Sequence, residues 1–275
     1  MLAFVTTTLV YAAVGNIIDK DSLMLICSVI VSILMCLSII FLYRKLQTKE
    51  QIFALNKKIS MKSFFRILIV FMAVCTITSK FIFIIEDILS LFGSGFGKSL
   101  DRATGEWTRT SIMSIVYVGI IGPILEEIIF RGYILNSLKP YGKKFAIILS
   151  SILFGMYHLN IVQLLPTIVM GIVCAYVAIE YSIKISIVLH IVNNLILAMG
   201  IPALADLFPG NGPIIVYGIL LIIICIMAIR IIISNKKNVK EYLIKEKTKK
   251  GLYRQVIISP LFIVFAIICV IFTFT

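Results

Sequence analysis

The chain has 275 residues, of which 60% are hydrophobic and only 14% are charged. Soluble domains carry about 25% charged residues, so this composition excludes an ordinary soluble domain and indicates an all-α, polytopic membrane protein. The net charge of +13 would suit a nucleic-acid-binding protein. The lysines and arginines, however, lie in short loops between apolar runs, which is typical of membrane topology. We therefore expect the lipid bilayer, and no nucleic acid, as a partner.

Apolar runs that can cross about 30 Å of hydrocarbon as helices recur along the whole chain. They predict a transmembrane helical bundle of about eight or nine spans. The candidate spans are 2–18, 22–43, 64–92, 111–134, 145–162, 165–183, 185–199, 213–234 and 256–275. We expect three parts, namely N-terminal helices with an external loop, a core, and C-terminal helices with a basic loop. Their bounds are 1–110, 111–200 and 201–275.

The basic residues between these spans are distributed unequally between the two sides of the membrane. One set of alternating loops holds 18 lysines and arginines and the other set holds four. The richer set is expected to be cytoplasmic, which places the N-terminus inside and the C-terminus outside. It consists of 44–63, 135–144, 184 and 235–255. The basic segment 236–254 is predicted either to lie on the anionic inner leaflet or to be a solvated linker.

Several ionisable residues lie inside apolar runs. The stretch "GPILEEIIFRGYIL", residues 122–135, contains two adjacent glutamates and an arginine, and the two histidines of the chain, His158 and His190, lie in later runs. Each such group costs roughly 2.5–3.5 kcal/mol at the centre of a bilayer. Residues of this kind normally face the interior of a helical bundle or a watery cavity, and they mark functional sites. By contrast, the six cysteines show no metal-site spacing and are interpreted as packing residues.

Helical geometry separates the charges of the first stretch. Adjacent helical residues diverge by about 100°, so Glu126 and Glu127 are not expected to face one point. Glu127 and Arg131 are four residues apart and can form an ion pair. Glu126 is then left without a cation, as suits a general base or acid. The Gly122–Pro123 dipeptide predicts a break in the helix just before the glutamates.

The later stretches show the same four-residue spacing. His190 and Asn194 share one helical face, whereas Asn193 points elsewhere and is interpreted as structural. Phe154 lies four residues before His158 and is expected to pack beside it. One histidine or one ion pair in a bundle is usually structural. The occurrence of all these groups within 69 residues favours a functional site.

A carboxylate, two imidazoles and an amide can catalyse peptide hydrolysis without a serine or cysteine nucleophile. The carboxylate takes a proton from water, and the other groups position that water and donate to the oxyanion. A zinc site is an open alternative, with Glu126, His158 and His190 as the three protein ligands. A proton relay in a transporter is a third possibility, although no internal repeat of the kind common in transporters is visible.

The three motifs together resemble those of the CAAX protease and bacteriocin-processing family, also called CPBP or Abi, which includes the eukaryotic Ras-converting CAAX endopeptidase. The motifs are E-E-x-x-x-R, F-x-x-x-H and H-x-x-x-N, and the resemblance covers about residues 111–200. Their residues here are Glu126, Glu127, Arg131, Phe154, His158, His190 and Asn194.

The resemblance implies an intramembrane endopeptidase whose site opens toward the cytosol and the inner leaflet. It implies that Glu126 and His158 activate water, that His190 and Asn194 bind the oxyanion, and that the other three motif residues are supporting. It leaves the cofactor open between none and zinc. The expected substrate is a membrane-associated peptide or protein of a bacterial cell, such as a bacteriocin or pheromone precursor. A non-catalytic immunity or scaffold protein of the same fold is the alternative within the family.

Overall fold

The computed structural model describes most of the chain from residue 55 onward, and the described residues form helices and no strand. They are 55–90, 115–158, 161–205, 207–245 and 251–274, with the single positions 26, 30, 33, 34, 37, 41, 53 and 248. The predicted all-α class is confirmed for these residues. The predicted spans 2–18 and 22–43 and the external loop 93–110 lie outside them, apart from the isolated positions.

Ten α-helices follow one another in the described ranges. They are α1 (Met61–Ser90), α2 (Gly122–Glu127), α3 (Asn136–Leu138), α4 (Lys143–Tyr157), α5 (Ile161–Glu180), α6 (Ile183–Asn193), α7 (Ile201–Ala205), α8 (Gly212–Lys245), α9 (Leu252–Ile257) and α10 (Pro260–Phe274). Wider π-helical turns and one 3₁₀ turn connect some of them. The π-helical turns are Tyr117–Ile121, Ile128–Leu135 and Asn194–Gly200, and the 3₁₀ turn is Lys139–Tyr141.

Within the described residues, three helices are long and apolar enough to cross a membrane, at Met61–Phe81, Gln163–Glu180 and Ile215–Asn238. Two shorter apolar helices, Ile183–Leu197 and Pro260–Ile271, accompany them. These apolar helices indicate a membrane protein. The predicted number of eight or nine spans stays a prediction.

Helix α5 occupies the middle of the packed part, where it contacts α1, α4 and α6. Apolar side chains from all four helices are completely buried there, as the periodic apolar faces of these segments require. Examples are Phe71, Phe154, Cys174, Val177 and Leu189. These contacts hold α4 and α6, which carry the two histidines, on either side of α5.

Two glycines allow α4 and α5 to approach closely. A methyl group added to Gly155 would lie 2.9 Å from the carbonyl oxygen of Leu164. One added to Gly171 would lie 3.0 Å from the Cα of Ser151. Small residues at the contact between membrane helices allow this backbone approach and strengthen dispersion contacts. The helix that carries His158 is thereby fixed tightly against the centre of the bundle.

Described residues from three of the loops predicted to be cytoplasmic contact the C-terminal end of α5. Asn56 donates to the carbonyl of Ile179 at 2.8 Å, while Lys143 Nζ and Tyr242 Oη lie 3.4 and 3.3 Å from Glu180 Oε1. Partial burial and the neighbouring Lys143 ammonium hold the pKa of Lys139, in the same region, below its usual range. The structure thus places these loops on one side, and the choice of that side as cytoplasmic stays a prediction.

The expected break at Gly122–Pro123 is wrong, because the chain stays helical through this point. The N–H of Gly122 bonds to the carbonyl of Tyr117, five residues back, and α2 begins there with Pro123 in its first turn. Proline has no N–H and its ring crowds the preceding turn of an α-helix. A wider π-helical turn relieves that crowding without interrupting the helix.

Candidate active site

Three helical segments deliver the motif residues to one region. Glu126 and Glu127 end α2, and Arg131 follows one turn later in a π-helical segment. Phe154 lies in the last turn of α4, and His158 directly follows that helix. His190 lies in α6, and Asn194 begins the π-helical turn that follows it. Each segment repeats a four-residue spacing, which places both members of a motif on one side of its helix.

Glu127 is completely buried, and three side chains bind its carboxylate. Oε1 lies 3.1 Å from Nη1 of Arg131 and 3.0 Å from Nδ1 of His190. Oε2 accepts a hydrogen bond of 2.6 Å from Oγ of Ser186. The predicted Glu127–Arg131 ion pair is therefore present, and Glu127 also binds the imidazole. Because the Glu127 carboxylate accepts a hydrogen bond from Nδ1, the proton of a neutral His190 lies on Nδ1, and Nε2 is the nitrogen that can take part in a reaction.

Arg131 is 2% exposed and its guanidinium has further contacts inside the bundle. Nη2 donates to the carbonyl of Gly171 at 3.3 Å, and the guanidinium carbon lies 4.4 Å from the centre of the Phe154 ring. An aromatic face stabilises a buried cation, and a paired counter-ion does so more strongly. Arg131 consequently ties the carboxylate of Glu127 to both α4 and α5.

Glu126 differs from its neighbour in exposure and in partners. Its side chain is 23% exposed, and Oε2 lies 3.8 Å from Nε2 of His190. The expectation that the two glutamates cannot face one point is wrong, since they meet the two different nitrogens of one imidazole ring. The ring is wide enough, and the glutamate side chains long enough, to compensate for the 100° divergence of the backbone positions. Glu126 is thus the carboxylate that water and substrate can reach.

The ring of Phe154 lies between the two histidines. Its centre is 5.0 Å from that of His158 and 6.1 Å from that of His190, with edge-to-face angles of 89° and 87°. The expected packing of Phe154 beside His158 is present. Nδ1 of His158 lies 2.9 Å from the carbonyl oxygen of Phe154, which can only accept a hydrogen bond. Nδ1 therefore donates, and Nε2 of a neutral His158 carries the free lone pair.

Asn194 is oriented by the first π-helical turn. Its Nδ2 donates to the carbonyl of Val118 at 3.0 Å, and Asn193 Nδ2 lies 3.5 Å from its Oδ1. Pro123, five residues after Val118, has no N–H to offer that carbonyl. The second N–H of the Asn194 amide is available to a ligand. Asn193 is 5% exposed, in agreement with a structural role.

Sequence reasoning missed two residues of this site. Ser186 binds Glu127, and its Oγ also lies 3.0 Å from the carbonyl oxygen of Cys174. A signal for Ser186 is present in the sequence, because it lies four residues before His190 on the same helical face. Cys174 lies on a different helix, and no spacing rule connects it with the motifs.

Among the described residues, one group of donor atoms is close enough to hold a metal ion. The ligand atoms of Glu127, Cys174 and His190 lie within 4.8 Å of one another. A cation there would replace existing hydrogen bonds beside the Arg131 guanidinium, so we interpret this group as a hydrogen-bonded cluster. The predicted zinc ligands Glu126, His158 and His190 do not form such a close group among the described residues, and their role as ligands stays a prediction. Both histidines donate from Nδ1 to an oxygen and keep Nε2 free, as metal-bound histidines usually do.

Together these groups form a half-buried carboxylate beside an imidazole that is itself oriented by a buried carboxylate. This arrangement can move a proton from water and stabilise a developing oxyanion.

Comparison with known proteins shows what the central part of the chain is similar to. Residues 108–196 match the family of Rce1-like type II CAAX prenyl endopeptidases. This segment contains all three motifs, so the resemblance to the CAAX protease and bacteriocin-processing family is confirmed for the central part of the chain. The match supports an intramembrane peptidase in general terms.

Two curated proteins from bacteria are similar to part of the chain. The chain is 34% identical over 108 residues to "Putative membrane peptidase YdiL" of Bacillus subtilis (strain 168), an alignment that covers 38% of the chain and 43% of the relative. It is 33% identical over 96 residues to "UPF0177 protein YxdF" of Lactococcus lactis subsp. lactis (strain IL1403), an alignment that covers 34% of the chain and 47% of the relative. The chain thus spans less than half the length of each relative. No solved structure matches it significantly.

Proposed function

We propose that this protein is an intramembrane endopeptidase that hydrolyses a peptide bond in a membrane-associated peptide or protein. One observation carries the proposal. The half-buried Glu126 faces Nε2 of His190 at 3.8 Å, while the buried Glu127 holds Nδ1 of the same ring at 3.0 Å. A structural ion pair needs only one of these carboxylates. A second carboxylate, half-buried and with no arginine or lysine paired to it among the described residues, suits proton transfer.

In the proposed reaction, Glu126 takes a proton from a water molecule, and Nε2 of His158 accepts a hydrogen bond from the same water. The resulting hydroxide attacks the scissile carbonyl carbon. The oxyanion accepts hydrogen bonds from Asn194 Nδ2 and from Nε2 of a protonated His190, which Glu127 stabilises. Glu126 then transfers its proton to the leaving amine, so that one water is consumed and two peptide ends form.

Zinc is the alternative to the metal-free mechanism. Glu126, His158 and His190 would hold it, and the ion would acidify a bound water molecule. Metal analysis of the purified protein, with activity measured before and after chelation, separates the two mechanisms. Stoichiometric zinc that is lost together with activity would exclude the metal-free version, and full activity in zinc-free protein would exclude the metal version.

The proposed substrate is a short peptide that reaches the site from the inner leaflet of a bacterial cell membrane. A bacteriocin or pheromone precursor has this chemistry, and self-immunity against such a peptide would use the same cleavage. One relative's name describes a membrane peptidase, which supports the class of reaction. The basic loops that contact the C-terminal end of α5 suit a surface that faces anionic lipids.

The decisive experiment compares the membrane and secreted peptides of cells that produce wild-type protein with those of three variants. Glu126→Gln, His158→Ala and His190→Ala should each abolish the same cleavage while the protein still inserts into the membrane. Glu241→Gln, at an exposed position of α8, is the matched control and should cleave normally. Full cleavage by Glu126→Gln would refute the assignment of the base. A changed solute or proton gradient with unchanged peptides would favour transport.

A further inference from the structure

Ser186 lies where α2, α5 and α6 meet. Its side chain is completely buried, with Oγ 2.6 Å from Oε2 of Glu127 and 3.0 Å from the carbonyl oxygen of Cys174. None of the three motifs includes this residue. Ser186 and His190 are four residues apart on one face of α6, and both bind the same carboxylate through different oxygens.

A serine hydroxyl has one proton, and both neighbours of Ser186 are acceptors when Glu127 is ionised. The proton belongs to the shorter bond, and hydrogen bonds to charged acceptors are the stronger ones. Ser186 therefore donates to Glu127. The Cys174 carbonyl lies on the other side of the hydroxyl oxygen, 3.0 Å away, and limits its movement.

This bond restricts the rotation of the Glu127 carboxyl group. With Oε2 held by Ser186, Oε1 is the oxygen that faces both Arg131 and Nδ1 of His190. Without the hydroxyl, Oε2 would be buried without this donor, and rotation toward Arg131 would become favourable. His190 would then lose a fixed partner at Nδ1, and its Nε2 would point less reproducibly toward the substrate.

We propose that Ser186 is a positioning residue that aims the carboxylate of Glu127 at His190, and through it orients the imidazole for catalysis. This inference rests on the proposed peptidase function for its kinetic consequence. Its structural part, the dependence of the His190 ring on the Ser186 hydroxyl, stands independently of any substrate.

Threonine and valine provide the matched test at this position, because they have the same shape and differ in the hydroxyl. Ser186→Thr and Ser186→Val add the same methyl group, so any steric effect is common to both. Loss of a hydrogen bond to a charged group predicts a kcat about 10- to 100-fold lower for Ser186→Val than for Ser186→Thr, with little change in KM. Ser150→Ala, which removes a buried hydroxyl bonded to the Ile147 carbonyl of α4, should cleave normally.

The second readout is the nitrogen spectrum of the histidine rings, which a merely structural role would not move in the folded protein. The chain has two histidines, so selective ¹⁵N-histidine labelling produces two ring systems, and a His158→Gln variant assigns them. We expect the Nδ1–H resonance of His190 to be retained in Ser186→Thr. In Ser186→Val it should shift and exchange faster with water.

The outcomes separate this inference from the proposed function. Equal kcat values and equal His190 resonances in the threonine and valine variants would overturn the inference while the peptidase stands. If the wild-type protein cleaved no peptide but the His190 resonance still depended on the hydroxyl, the positioning role would stand and the peptidase would fail.

Discussion

Replacement of Glu127 by glutamine tests whether the buried carboxylate stabilises the fold as well as the site. Glu127→Gln leaves Arg131, which is 2% exposed, without its counter-ion. Removal of one partner of a buried ion pair costs about 3–5 kcal/mol. The glutamine amide has an NH₂ group in place of one carboxylate oxygen, so the oxygen that accepts the Ser186 hydrogen bond can be lost. We therefore expect a large loss of stability together with a loss of activity.

The size of the expected effect follows from the cost of the uncompensated charge. Roughly 2–4 °C per kcal/mol, the ratio typical of chains of about this length, converts that cost into a decrease in Tm of about 6–20 °C. The double variant Glu127→Gln, Arg131→Met removes both charges and should recover most of this loss, because no unpaired charge remains in the interior. Its catalytic activity should stay low, since Nδ1 of His190 still lacks a carboxylate.

Thermal unfolding in detergent, followed with a thiol-reactive dye, measures these differences. Cys75 and Cys174 are buried thiols that become reactive when the bundle opens. Glu126→Gln is the matched control, because its side chain is 23% exposed and its contact with His190 is 3.8 Å long. We expect its Tm to stay within about 2 °C of the wild-type value. A Glu127→Gln protein as stable as Glu126→Gln would refute this account of the buried ion pair.

Three further predictions use the same purified protein. Glu126→Gln should remain folded and show no cleavage of a peptide that the wild-type protein cuts; measurable turnover would contradict its role as the base. Asn194→Ala should lower kcat about 10²–10³-fold with a smaller change in KM, as for the loss of one oxyanion donor, and an effect confined to KM would argue for substrate binding instead. Gly171→Ala should lower Tm, because its new methyl group would lie 3.0 Å from the Cα of Ser151. Gly218→Ala is the control, because nothing lies within 4 Å of its new methyl group, and it should raise the free energy of unfolding by up to about 1 kcal/mol. Equal Tm values for the Gly171→Ala and Gly218→Ala proteins would show that α4 and α5 do not pack this closely.

The adjacent glutamates show how far helical periodicity can be used. The spacing of Glu127 and Arg131 predicts their ion pair, because an α-helix brings side chains four residues apart together whatever surrounds it. The same rule predicts that Glu126 points elsewhere, yet both carboxylates reach His190. Periodicity describes only the directions of side chains around one helix axis. It does not show that the His190 ring on a neighbouring helix is wide enough to contact both glutamates.

The helical class, the Glu127–Arg131 ion pair and the Phe154–His158 contact could be predicted from the amino-acid sequence, because they depend on hydrophobicity and on the local geometry of a helix. The sequence also identified the chemistry-bearing residues, since ionisable groups in apolar runs are costly enough to stand out. The sequence did not reveal that Ser186 binds Glu127, that Asn194 donates to the carbonyl of Val118, or that one glutamate is buried while the other is half-exposed. These contacts join residues 59 to 76 positions apart. They depend on which helices pack together and on a proline that leaves a carbonyl free, and neither is visible in the period of any single segment.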